Sequence, residues 1–182
     1  MGKFKSMVDT PERLMEFRRR YNIPDDVEVR HCLKSKVILL RREGTVVNPL
    51  VAIVEGGVRI PMSDLLTNFL RHFKVFPNQS TPNVFRVVSS VYTLNKRLAL
   101  KLTEHDINYI YSFQDNKTSG FYFKIWHGEV RLILGLLDSD KEIEGDYLII
   151  SGNWYPAESI ALQVRVKQVG RSNRNLFINL LL

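Results

Sequence analysis

The apolar positions of this chain change their spacing after Gly120, and that change restricts its fold more than any other feature. Leu65, Leu66, Phe69, Leu70 and Phe73 recur at the spacing of an amphipathic helix that opens at Ser63, with Asp64, Thr67, Asn68 and Arg71 on the opposite side. From Pro82 to about residue 100, Val84, Val87, Val88, Val91, Tyr92, Leu94 and Leu98 keep the helical period and cover more than half a circumference. So wide an apolar face predicts a central helix. After Gly120 the period shortens. Phe121-Tyr-Phe-Lys-Ile-Trp126 and Val130-Arg-Leu-Ile-Leu134 are rich in aromatic and β-branched residues and read as a hairpin across His127-Gly128-Glu129. Tyr147-Leu-Ile-Ile150 reads as a further strand.

Shorter elements are marked by their ends. Thr10-Pro11-Glu12 supplies a hydroxyl cap, a proline whose missing N–H is not needed and a carboxylate at the positive end of a helix. That helix is expected to run to about Tyr21, burying Leu14 and Phe17 and extending Arg18, Arg19 and Arg20 into solvent. Val27, Val29 and Val37 to Leu40 suggest one or two strands around a turn at Lys34-Ser-Lys36. Asn48-Pro49 is expected to cap a brief helix over Leu50 to Val54 that Gly56-Gly57 closes. Thr103-Glu-His-Asp106 predicts a capping-box start to a helix carrying Ile107, Ile110 and Tyr111, followed by a loop from Asp115.

Helices precede most of the strands, so the order predicts an α+β domain. About four helices in the N-terminal and central part would pack with a small antiparallel sheet from the C-terminal part. Residues 1–9 are expected to be flexible, residues 10–156 to form a single domain, and residues 157–182 to be a divergent tail.

Composition narrows the class of function. The chain has 182 residues, 45% apolar and 25% charged, which suits one globular core. Its single cysteine, Cys32, allows no internal disulfide, and no apolar run reaches the length of a secretory or membrane segment. An intracellular location, nuclear or cytoplasmic, is therefore expected. Met1-Gly-Lys-Phe-Lys-Ser6 fits a loose acylation pattern, but a lysine directly after the glycine is poor context, so N-myristoylation at Gly2 is not expected.

The usual catalytic signatures are missing. His72, His105 and His127 lack the close spacing that puts two ligands on one helical face, and His31 and Cys32 are adjacent, so no metal site is expected. Asp138, Asp140, Glu142 and Glu144 sit in one acidic stretch with Ile143 where a calcium loop needs glycine. A two-metal nuclease or transposase centre with Asp106 or Asp115 would need carboxylates from separate strands instead. No phosphate-binding glycine motif and no nucleophile elbow occurs. The chain is accordingly read as a non-enzyme without cofactor or small-molecule substrate.

Charge supplies the remaining candidate. The formal net charge is +7, and residues 49–100 carry 6 basic and 2 acidic groups while residues 101–156 carry 5 and 9. Arg71, Lys74, Arg86, Arg97 and Lys101 lie on or beside the two central helices, where they could meet phosphates.

Several spaced landmarks carry a family resemblance. Tyr21-Asn-Ile-Pro24, Glu55-Gly-Gly-Val-Arg-Ile-Pro61, Pro82-Asn-Val-Phe-Arg86, Leu136-Leu-Asp-Ser-Asp-Lys141 and Ser151-Gly-Asn-Trp154 resemble, in sequence and order, the plant gypsy-type transposon (transposase) domain. The resemblance spans roughly residues 20–156. It implies a domain found in plant retroelement polyproteins and in uncharacterised plant proteins, with no established catalytic residues to carry over. Residues 157–182 depart from the polar, coiled-coil continuation of longer members. The expected function is a protein-interaction or assembly module that binds a protein partner or itself. Nucleic-acid binding through the basic helical surface is the alternative, and a metal-dependent nuclease is the third reading.

Overall fold

The computed structural model describes residues 3–33, 44–116, 120–126, 132–136, 145–155, 164–165 and 179–180. Among these residues five α-helices occur with a three-stranded and a two-stranded antiparallel sheet, and a further pair of two-residue strands, in an α+β arrangement. Helix α1 spans Pro11–Arg20, and the Thr10 side chain accepts a hydrogen bond from the Arg13 amide at its start. Phe17 is its buried anchor. Arg18 does not extend into solvent as the sequence suggested. Its guanidinium turns back 2.8 Å from the Pro24 carbonyl and closes the exit from the helix.

Strand β1 (Val27–Leu33) leads to β2 (Val46–Pro49) and the short helix α2 (Leu50–Val54), and residues 34–43, including the second suggested strand, lie outside the described residues. Asn48 was expected to cap α2, but it is the third residue of β2, and Pro49 occupies the cap position with no side-chain cap bond. Pairing with the last strand of the sheet decides this, because Asn48 lies opposite Leu148.

Helix α3 (Asp64–Phe73) begins at Ser63, whose hydroxyl accepts from the Leu66 amide. Thr67 was assigned to the polar side and is buried instead. Its hydroxyl donates to the Ser63 carbonyl at 3.1 Å, which satisfies it locally and makes burial tolerable. Pro61 precedes this helix without starting it. Helix α4 (Pro82–Leu98) is the predicted central helix, with Val84, Phe85, Val87, Val88 and Val91 buried. It ends at Ala99 in the left-handed conformation, and Asn95 holds the turn by bonding both the amide and the carbonyl of Leu102.

Helix α5 (Glu104–Ile110) has the expected capping box. Asp106 accepts from the Thr103 amide and hydroxyl, both at 2.8 Å, and these bonds hold its carboxyl below the usual range. The chain then turns directly into β3 (Tyr111–Asn116), which pairs with β4 (Gly120–Ile125). Residues 121–125, expected to pair with 130–134, pair with β3 instead, while residues 127–131 of the expected hairpin lie outside the described residues. Tyr111 completes the helical spacing of Ile107 and Ile110 and also begins the period-two alternation with Phe113, and the ladder to β4 takes it.

Strand β5 (Asp146–Gly152) is the centre of the main sheet, between β1 and β2, with both neighbours antiparallel. The sheet thus joins two early strands to one late strand, where the sequence placed it in the C-terminal part. Val27, Val29, Val46, Leu148 and Ile150 face the main core. Cys32, Tyr147 and Ile149 form a small cluster on the other face, and burial pushes the Tyr147 phenol up. Trp154 fastens the end of β5, its indole N–H 3.0 Å from the Gly44 carbonyl and its own carbonyl 2.9 Å from the Met62 amide. Two-residue strands β6 (Val164–Arg165) and β7 (Asn179–Leu180) pair with each other. The acidic residues Asp138, Asp140, Glu142 and Glu144 lie outside the described residues. No helix among the described residues is long and apolar enough to cross a membrane.

Two positions should move stability in opposite directions in one thermal-denaturation series. A Cβ at Gly56 would stand 2.4 Å from the Ala52 carbonyl oxygen and 2.7 Å from Phe85 Cβ, so Gly56→Ala should cost about 1–3 kcal/mol. Asn48 is fully buried with neither side-chain polar atom hydrogen-bonded, so Asn48→Val should leave stability unchanged or raise it by up to about 3 kcal/mol. A stabilised Gly56→Ala, or a destabilised Asn48→Val, would contradict this packing.

Candidate binding groove

The turn from α2 to α3 builds one wall of an elongated groove, and α4 builds the floor and the facing wall. The turn is tight because Gly56 leaves no room for a side chain between α2 and Phe85. Gly57 follows at φ +74°, a conformation that favours glycine. The chain then alternates, burying Val58, Ile60 and Met62 and exposing Arg59 and Pro61. On α4, Arg86, Ser89, Thr93 and Arg97 follow one another at spacings of three and four, with Ser90 four residues after Arg86, so they face the same space.

A third side comes from residues 132–136. The Ile133 amide donates to the Tyr111 hydroxyl at 3.2 Å, which fixes this short stretch against the hairpin. Leu132, Ile133 and Leu134 then close the groove, with Leu134 80% exposed at its lip. The volume of this open groove is about 1090 Å³.

Electrostatically the groove is basic. Arg59, Arg86 and Arg97 line it, against the carboxylates of Glu55 and Asp64. Glu55 already has a cation, since Lys3 Nζ lies 2.6 Å from its Oε1. Leu94 adds apolar surface between the charges, with the buried Met62 and Leu66 behind it. The lining contains no histidine, cysteine or lysine among the described residues.

The five basic residues expected from sequence fall into two groups. Arg86 and Arg97 share the groove, while Arg71 and Lys74 belong to the C-terminal end of α3 and Lys101 to the link between α4 and α5. Arg86 is partly a structural residue. Its Nε donates to the Glu55 carbonyl at 2.9 Å and its Nη1 to the Gly135 carbonyl at 3.1 Å, so it ties α4 to two walls of the groove. Arg59 was not among the expected residues. It stands inside Glu55-Gly-Gly-Val-Arg-Ile-Pro61, and the alternation of buried and exposed positions there was the available signal.

The structure also gathers residues that the sequence keeps apart. His72 at the end of α3 and His105 at the start of α5 bring their rings together, with centroids 4.7 Å apart, beside Glu104. Sequence spacing gives no sign of this, since the two histidines are neighbours only through the packing of α3 on α5.

Comparison with family models, with curated proteins and with solved structures finds no match for this chain.

The two groove arginines of α4 should separate in a stability measurement. Arg86→Ala removes the donors to two backbone carbonyls and should destabilise the fold by about 1.5–3 kcal/mol. Arg97→Ala, at an exposed position, should stay within about 0.5 kcal/mol of the parent. Urea denaturation of the two variants beside the parent checks the split, and equal losses would contradict it.

Proposed function

We propose that this chain is a non-enzymatic protein-interaction module of plant retroelement origin whose groove receives an acidic, partly apolar segment of a protein partner. The observation that carries the reading is the arrangement of Arg59, Arg86 and Arg97 around the accessible apolar side chains of Leu94 and Leu132 to Leu134. Guanidinium groups give a carboxylate-bearing segment both charge and paired N–H donors, and the apolar residues between them reward burial of neighbouring side chains. Lys3 on Glu55 supports the same partner chemistry, because it leaves the arginines as the dominant charge. The proposed retroelement origin rests on the ordered landmarks that resemble the plant gypsy-type transposon domain, a resemblance that brings no established catalytic residues.

The alternative, binding of nucleic acid, draws on the same Arg86 and Arg97. It is weakened by the placement of Arg71, Lys74 and Lys101 outside the groove, since phosphate recognition gains from a continuous basic track. A nuclease or transposase reading has no support from the groove lining.

One experiment compares these readings. The full chain is titrated into a labelled peptide alternating Glu and Leu, and into labelled single- and double-stranded DNA and RNA, across a salt series, with light scattering on the same samples. Saturable peptide binding that falls about tenfold, or about 1.4 kcal/mol, in the Arg59→Ala, Arg97→Ala double variant is the expected result. Binding to nucleic acid with steep salt dependence, lost in the same variant, would replace the protein-partner reading. A defined oligomer that the double variant disperses would identify the partner as a second copy. No peptide binding at low salt would overturn the proposal.

A further inference from the structure

His72 and His105 are held on different helices, one on the last turn of α3 and the other on the first turn of α5. Their rings meet edge to face at 81°. Glu104 lies beside them, its Oε1 3.7 Å from His105 Nε2, and one donor atom from each of the three residues falls within 4.8 Å of the other two. We propose that His72, Glu104 and His105 bind one divalent transition-metal ion of the zinc class and so tie the end of α3 to the start of α5.

The donor set selects the kind of ion. Two imidazoles and one carboxylate suit zinc and its first-row neighbours, whereas calcium and magnesium demand oxygen ligands throughout. Three protein ligands leave a fourth tetrahedral position for water or for a donor from a partner. The geometry is close to what binding requires. Ligand atoms at about 2.0–2.1 Å from a tetrahedral ion are about 3.4 Å from one another, so no separation here needs to shrink by more than about 1.4 Å. The side chains that must move are free to do so, since both histidines are exposed and Glu104 is half-buried at the surface.

Among the described residues the three groups make no hydrogen bond or ion pair outside the trio. Capping of α5 is done by Asp106, which accepts from Thr103, so the Glu104 carboxylate is left for the ion. The His72 ring has only ring contacts, with Phe73 and His105, among the described residues. Phe73 packs in turn on Phe113, which fixes the backbone that carries His72. Convergence from separate elements is what distinguishes this set from neighbouring histidines on one helix.

The test uses the full chain after removal of metal with a chelator. Cobalt(II) is titrated with visible absorption as the readout, and zinc(II) affinity is measured against a chromophoric chelator. The expected result is saturation at one equivalent, displacement of cobalt by zinc, and loss of more than about 100-fold in affinity in His72→Ala and in His105→Ala, beyond the about 10–100-fold typical of outer-shell changes. Glu104→Gln should weaken binding by at least about tenfold, and His127→Ala should leave it unchanged. The thermal midpoint should rise with zinc in the parent and not in the double histidine variant. Should a variant alter the circular dichroism spectrum, imidazole resonances of the parent titrated with zinc give the answer instead. Shifts at His72 and His105 support the site. Shifts confined to His31 or His127, binding that survives in the double variant, or no saturable binding would overturn it.

Discussion

Phe69 is fully buried and meets Phe113 and Phe123 edge to face at 5.2 and 5.5 Å, and that contact fixes α3 on the hairpin of β3 and β4. Phe73 extends the cluster one helical turn further, 4.7 Å from Phe69 and 4.6 Å from Phe113, while Phe121 stacks on Phe113 from the neighbouring strand. Aromatic pairs in these geometries add about 0.5–1.5 kcal/mol each beyond their buried area. A single helix is thereby clamped on a two-stranded hairpin that would be marginal alone. Because α5 runs without a break into β3, clamping β3 under α3 also carries the start of α5 to the end of α3. His72 and His105 meet for that reason.

The groove depends on a second close packing, at Gly56. Removing the Cβ there lets α2 approach Phe85 on α4, and the turn that follows projects Arg59 while burying Val58 and Ile60 on either side. Arg86 then spans the gap that remains, bonding Glu55 on one wall and Gly135 on another. Arginine suits this position because its planar fork can satisfy two carbonyls and keep its charge. A lysine would reach one of them as a point donor. The same side chain thus holds the walls apart at a fixed width and contributes to the potential between them, so the groove's shape and its charge are not independent.

Much of the helical part was legible in the sequence because its signals are local. The cap at Thr10, the proline at Pro82, the capping box at Thr103 and the stripe from Leu65 to Phe73 each act within a few residues, and each lies where the sequence put it. The strands were harder, since their partners are remote. Nothing near Asn48 announces that β5, a hundred residues later, will draw it into a sheet and bury it, and Tyr111 satisfies a helical and a strand period at once. The basic residues were visible as residues and not as a surface. Arg86 and Arg97 share a face by helical spacing alone, whereas Arg59 joins them only through the turn at Gly56, and Arg71 and Lys74 leave the group because α3 points its other end at the groove.

That orientation of α3 separates the two sites along one rigid element. Asp64 and Leu66 line the groove at its first turn, and His72 stands eight residues after Asp64, about 12 Å along the axis. The aromatic cluster grips the helix between them, through Phe69, and its grip fixes rotation about the axis as well as translation. An ion held by His72, Glu104 and His105 would therefore add a second point of attachment at the end remote from the groove, where the left-handed residue Lys74 already stops the helix. Its contribution would be to hold together the junction of α3 with α5, while the groove keeps the shape that Gly56 and Arg86 impose. Partner binding and metal binding are on this geometry two separable properties of one helix, coupled only as far as α3 can shift against Phe113.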